Sequence, residues 1–192
     1  NDVFPTAMHV ATALLTYEKL LPTIIRLSNI ISKKEEEFSD IIKIGRTHTQ
    51  DATPVSLSQE FSSFKVQIKH ALFNVSYCLG SIEELAQGGT AVGTGLNAHP
   101  EFANLFADNI TKTTSLTSLH QKVLNSKVVS CSSLNKVQIK SSKAFKKGLA
   151  FAGKFIGDKN KFFALSNNDD LVQFHGSLNT LAVSLMKIAN DI

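Results

Sequence analysis

An all-α fold, built as an elongated helical bundle, is predicted by three features of this 192-residue chain. Two long segments carry apolar residues at alternating spacings of three and four, the period of a helical seam. No proline interrupts either segment. The hydrophobic fraction, 43%, is enough for one sizeable core.

The first element runs from Phe4 to about Ser39 and reads as helix. Pro5 suits the first turn, where its missing N–H removes no bond. Pro22 predicts a break, giving two helices or one kinked helix. Glu35, Glu36 and Glu37 close the segment on a solvated note. The run "DIIKIG" suits brief strand pairing, and the polar stretch "GRTHTQDATP" follows it. Together they predict a short β-like loop around residues 41–55.

From Ser56 onward Leu57, Phe61, Phe64, Ile68, Ala71, Val75, Cys78, Ile82 and Leu85 form a sustained seam. A helix of about 30 residues, some 45 Å long, would carry it. Leu72, Leu79 and Ala86 make a second stripe beside it, and such left-over stripes are expected to be covered by other subunits. Gly88, Gly89, Gly93 and Gly95 then predict a flexible turn. This is not a phosphate loop, because it lacks the GK[ST] ending and a preceding strand. His99-Pro100 starts a further helix to about Ile110. A last seam, Leu171, Phe174, Leu178, Leu181, Leu185, Ile188 and Ile192, follows Asn167 or Asn168 as N-cap, with Asp169 and Asp170 near the positive helix end. Two such seams favour near-antiparallel packing.

Residues 117–153 differ in kind. They are rich in Ser and Lys, contain no acid, and show no clean period. They are read as a mobile insertion, dividing the helical domain into residues 1–116 and 154–192. Their seven lysines account for the basic balance: without them the net charge of +4 becomes −3. A basic segment can bind nucleic acid. This one has no arginine and no recognition motif, so no nucleic-acid partner is expected. No apolar run approaches the roughly 18 residues that span a bilayer, so no membrane partner is expected either. Cys78 lies on an apolar stripe and Cys131 in the Ser/Lys-rich segment; their separation suits neither a metal site nor a disulfide framework.

The chemistry concentrates at residues 45–51. Imidazole moves protons near neutral pH, so His48 in a polar stretch between long helices is a candidate acid–base group. A solvated loop histidine fits the same pattern. No Asp or Cys stands at triad spacing, and no second His or carboxylate gives a metal-ligand pattern.

Six segments in order carry a resemblance: "NDVFPTAMHVA", "KIGRTHTQDATP", "QEF", "GGTAVGTGLNAHPEFA", "NKFFAL" and "HGSLNTLAVSLMKIANDI". Together they resemble class II fumarase, of the fumarase/aspartase superfamily. "THTQDATP", His99-Pro100 and "SLMKIANDI" favour fumarase over aspartase. The resemblance implies the central helical domain of that fold and reversible hydration of fumarate to L-malate, with no metal or organic cofactor. It implies a homotetramer whose active sites are shared between subunits, and a mitochondrial or cytoplasmic setting.

Residue by residue, Asn1 matches the last member of the family's Ser-Ser-Asn substrate-binding trio. Thr47 matches a substrate-contacting threonine. His48 matches the histidine assigned to proton transfer or to holding the catalytic water. The GSSxMPxKxN signature, with its base serine, is not among these 192 residues. Relative to the family pattern, about thirty extra residues stand between Thr113 and Gly153, and Lys159 replaces the usual proline before Asn160. The neighbouring readings are an aspartase-like ammonia-lyase, a helical scaffold without catalysis, and a nucleic-acid binder acting through residues 117–153.

Overall fold

In a computed structural model of the chain, residues 1–126 and 153–192 are described. Helix α1 spans Val3–Leu15 and α2 spans Leu21–Glu37, joined by a π-helical turn at Thr16–Leu20. Pro22 explains the join. It has no N–H for the carbonyl four residues earlier, so the ladder shifts and the Leu21 N–H donates to Thr16 O, five residues back.

The short β-like loop expected around residues 41–55 is a hairpin. Strand β1, Ile42–Thr47, pairs antiparallel with β2, Gln50–Ser56. Pairing runs from Ile42 opposite Ser56 to Thr47 opposite Gln50, with an irregularity between Ile44 and Arg46. Gly45 sits in that irregularity, where a Cβ would lie 2.5 Å from Thr53 O. Pro54 is tolerated because this two-stranded sheet has only edges.

Helix α3, Leu57–Ile82, follows directly. A capping box starts it: Ser56 Oγ accepts the Gln59 N–H, and Gln59 Oε1 accepts the Ser56 N–H. The predicted seam is buried from Phe64 through Ile82. The helix is shorter than expected, however. It ends at Ile82, and Leu85 lies in a short strand, β3 (Glu84–Leu85), paired in parallel with β4 (Ile156–Gly157). The apolar period outlasts the helix because Leu85 stays buried by a different backbone route.

Helices α4 (Phe102–Thr113), α5 (Leu116–Leu124), α6 (Lys161–Ser166) and α7 (Asp169–Asp191) complete the described residues. Helix α5 corrects the reading of residues 117–153: their first eight residues are helical, with Leu116, His120 and Val123 buried. Residues 127–152, including Cys131 and the rest of the expected mobile insertion, lie outside the described residues.

Helix α3 packs against α2 and α7, and both neighbours run antiparallel to it. Lys65 of α3 pairs with Glu35 of α2, while the Lys187 ammonium of α7 lies over the Phe64 ring. The second stripe therefore needs no other subunit: Leu72, Leu79 and Ala86 are buried within this chain. Helix α7 buries Phe174, Leu181 and Ile188, but Leu185 and Ile192 of its expected seam are exposed. A 3.6-residue helix drifts off a strict heptad line, and only some members of the seam reach α3. Val172, Val183 and Met186 are exposed on α7.

One buried acid fastens the chain where it returns after residue 152. Glu83, 1% exposed, accepts the Tyr17 hydroxyl at 3.0 Å and the Gly153 N–H at 2.8 Å from each carboxylate oxygen. Gly153 has φ +99°, and a Cβ there would strike the His120 ring. Thr117 Oγ1 donates to Gly153 O, and Thr111 Oγ1 accepts the Phe155 N–H. Burial pushes the Glu83 carboxyl up to about 7, outweighing the donors that favour its charge. Burial, with the adjacent carboxylate, also pushes the Tyr17 hydroxyl far above its usual range.

This has a signed consequence for stability. As pH rises from about 4.5 to 7, unfolded Glu83 loses its proton while the folded form keeps it. Its contribution is therefore fullest in acid and declines as pH rises through 7, by about 3 kcal/mol at most. Replacing Glu83 with Gln should flatten that decline: melting temperatures of the variant and the parent should diverge in the variant's favour from pH 5 to pH 8. Parallel pH profiles would contradict the assignment.

Candidate functional site

The three residues expected to act fall in two places. Thr47 ends β1, and His48 and Thr49 form the hairpin turn. Both turn residues have positive φ, 49° and 62°. That is the two-residue turn whose twist matches paired strands, made here without its favoured glycine. A left-handed conformation in an L-residue costs roughly 1–2 kcal/mol, so this tip holds strain. Thr49 Oγ1 donates to His48 O, and Arg46 pairs loosely with Asp51 at 3.5 Å across the strands. The His48 side chain is exposed, and among the described residues nothing hydrogen-bonds to its ring.

Asn1 lies elsewhere. Its Nδ2 donates to Ala91 O at 2.8 Å, in the glycine turn that follows β3. Next to it, Asp2 is buried, and one carboxylate oxygen accepts three hydrogen bonds: Gln87 Nε2 at 3.1 Å, Gly88 N–H at 2.9 Å and Thr90 N–H at 3.1 Å. The turn expected to be flexible is thus tied to the start of α1. It is also close-packed: a Cβ on Gly88 (φ +97°) would lie 2.8 Å from Ala103 Cβ, and one on Gly93 (φ +107°) would lie 2.9 Å from Phe162 N. Only glycine combines that backbone with that approach.

Lys161, the first residue of α6, donates from Nζ to Leu85 O at 2.7 Å. Burial lowers its pKa, while the charges of Asp158 and Asp2 act to raise it. His9 ties α1 to the same end. Its Nδ1 lies 3.0 Å from Ile82 O and 2.9 Å from Glu84 O, two acceptors, so Nδ1 carries the proton. Asp2, Gln87 and Lys161 are absent from the sequence-based candidates. Asp2 precedes an apolar helix, which reads as an ordinary N-cap. In the structure its side chain caps nothing in its own helix and reaches the glycine turn instead.

Helix α3 stands between the two places. Thr47 and His48 precede its first residue, and the Asn1 contact lies beyond its last. At 26 residues it spans about 39 Å. One copy of the chain therefore does not bring His48 and Asn1 together. A groove of about 840 Å³ between α2 and α5, lined by Tyr17, Ile25, Arg26, Lys33, Lys122 and Val123 among others, contains neither. Among the described residues no group of three His, Cys, Asp or Glu is placed to hold a metal ion, and no helix is long and apolar enough to cross a membrane.

Known proteins are similar to this chain along its whole length. The chain is 43% identical, over all 192 residues, to the mitochondrial fumarate hydratase of Danio rerio and to the class II fumarate hydratase of Brucella suis biovar 1. It covers 30% and 34% of those proteins, about a third of their length. Among solved structures, class II fumarase from Schistosoma mansoni superposes with a TM-score of 0.77 at 35% identity, over 99% of this chain and 35% of that one. The fumarate lyase:delta crystallin from Brucella melitensis in its native form gives 0.64 at 26%, over 99% and 34%. A family model described as lyase matches residues 1–134 and 118–192. Those two matches take in Asn1 and the glycine turn, the hairpin that carries His48, and helices α6 and α7, and by them the chain belongs to the lyase family.

Proposed function

We propose that this chain supplies part of the active site of a class II fumarate hydratase, which interconverts fumarate and L-malate. The observation that carries this reading is the 43% identity to fumarate hydratases along all 192 residues. The higher identity to the solved fumarase, 35% against 26% for the fumarate lyase:delta crystallin, and the fumarate hydratase names of the 43%-identical relatives favour the fumarase branch.

The reaction sets clear demands. Removing a proton beside one carboxylate of malate places extra negative charge on that carboxylate, and hydroxide must then leave with help from an acid. The protein has to hold two carboxylates and aim donors at the one that gains charge. In this reading no metal or organic cofactor takes part. His48 moves the proton or holds the reacting water, Thr47 donates to substrate, and Asn1 binds a substrate carboxylate. The hairpin turn supports such a role for His48, because it presents an exposed imidazole with no partner among the described residues. The span of α3 supports assembly of the site from more than one copy, within a homotetramer in a mitochondrial or cytoplasmic setting. The exposed Val172, Val183 and Met186 of α7 suit such contacts.

Two outcomes test the reading. In the protein with its natural flanking sequence, His48→Asn should lower kcat by about 10²–10⁴-fold. Its melting temperature should hold, since an exposed side chain is replaced by one that accepts positive φ. A kcat within twofold of the parent would remove His48 from the reaction. Residues 1–192 alone, which lack the base-serine signature, should leave the absorbance of a fumarate solution unchanged. Measurable turnover by that piece would contradict the placement of the other catalytic groups outside it.

A further inference from the structure

The Asp2 carboxylate has a task that burial alone does not explain. An acid that precedes a helix ordinarily caps it, satisfying one of its first N–H groups. Asp2 does not: its side chain makes no capping bond in α1. It is buried and turned onto residues 85 or more positions away in the chain, where a single oxygen collects the N–H groups of Gly88 and Thr90 and the side-chain amide of Gln87. The Lys161 ammonium is close enough for the Asp2 charge to act on it. A carboxylate removed from water persists only when donors of this kind replace its hydration.

The neighbouring residue gives the grip its direction. Asn1 and Asp2 hold the same turn at two points: Asp2 receives the N–H groups of Gly88 and Thr90, and Asn1 donates to the carbonyl of Ala91. Gly88 and Thr90 both have positive φ, 97° and 61°, which aims their N–H groups together. The Asn1 amide is thus fixed through one N–H, while its second N–H and its carbonyl oxygen remain to meet a ligand.

We infer that Asp2 is a positioning residue: by clamping the Gly88–Thr90 turn it sets the orientation in which the Asn1 amide meets a substrate carboxylate. This rests on the hydratase reading above, and it assigns Asp2 no contact with the reacting atoms. An amide held in place before substrate arrives loses no rotational freedom on binding, so loosening the clamp weakens substrate binding and leaves the chemical step alone.

The test uses the protein with its natural flanking sequence and compares parent, Asp2→Asn and Asp2→Ala. With fumarate as substrate, Asp2→Ala should raise KM about tenfold or more, with kcat within about twofold. Asp2→Asn keeps one acceptor oxygen in the same place, so it should recover most of the affinity, with KM raised only about threefold over the parent. A structural brace would behave differently: damaged protein lowers kcat through loss of active molecules and leaves KM where it was. If Asp2→Ala does not fold, Asp2→Asn carries the test, with a KM raised about threefold at unchanged kcat and melting temperature. An active parent whose Asp2 variants keep its KM would overturn the positioning role alone. A parent that does not hydrate fumarate would overturn the hydratase reading and this inference with it.

Discussion

Helix α3 is the constraint on which the rest depends. Its 26 residues form a rigid rod, capped by the Ser56–Gln59 box at one end and held near the other by α1. Its buried face admits only neighbours of matching apolar period, and α2 and α7 supply them in antiparallel orientation. The hairpin sits where the rod begins, and the glycine turn sits where it ends. Because a helix neither stretches nor folds back, the separation between His48 and the Asn1 contact is fixed by a count of residues rather than by any loop.

At the far end of the rod, two buried carboxylates do related work by different chemistry. Glu83 receives the chain as it returns at Gly153, and Asp2 receives the glycine turn through Gly88 and Thr90. Both satisfy backbone N–H groups in irregular segments, where no helix or sheet ladder is available to do so. Their environments then diverge. Burial dominates at Glu83 and favours its protonated form, despite donors from Gly153 and Tyr17. At Asp2 three donors converge on one oxygen and an ammonium lies nearby.

The helices were legible in the sequence because a buried face imposes its period on the residues that fill it. Phe64, Ile68, Val75, Cys78 and Ile82 were legible for that reason. The same signal misleads at Leu85, which keeps the period after the helix has ended, and at Leu72 and Leu79, whose burial says nothing about which chain covers them. The hairpin was half-legible: "DIIKIG" has strand composition, but Asp51 and Pro54 in its partner strand are disfavoured in strands, and the turn uses His48-Thr49 where a glycine signal would be expected. His48, Thr47 and Asn1 were reached through resemblance, not through spacing. Asp2 and Glu83 were not legible at all, because each finds its partners 66 or more residues away, and local pattern carries no record of such contacts.

On the proposed reading, a working site draws Asn1 from one copy of the chain and His48 from another. The most direct measurement mixes two inactive variants of the natural-length protein, Asn1→Asp, which sets a carboxylate against the incoming dicarboxylate, and His48→Asn. Co-expressed in one assembly, the two should recover fumarate hydration well above the residual rate of either alone, because some sites would then combine an intact Asn1 with an intact His48. Mixed assemblies that form, as shown by native mass spectrometry, yet remain as inactive as either parent would place both residues in the site of a single chain and contradict the claim.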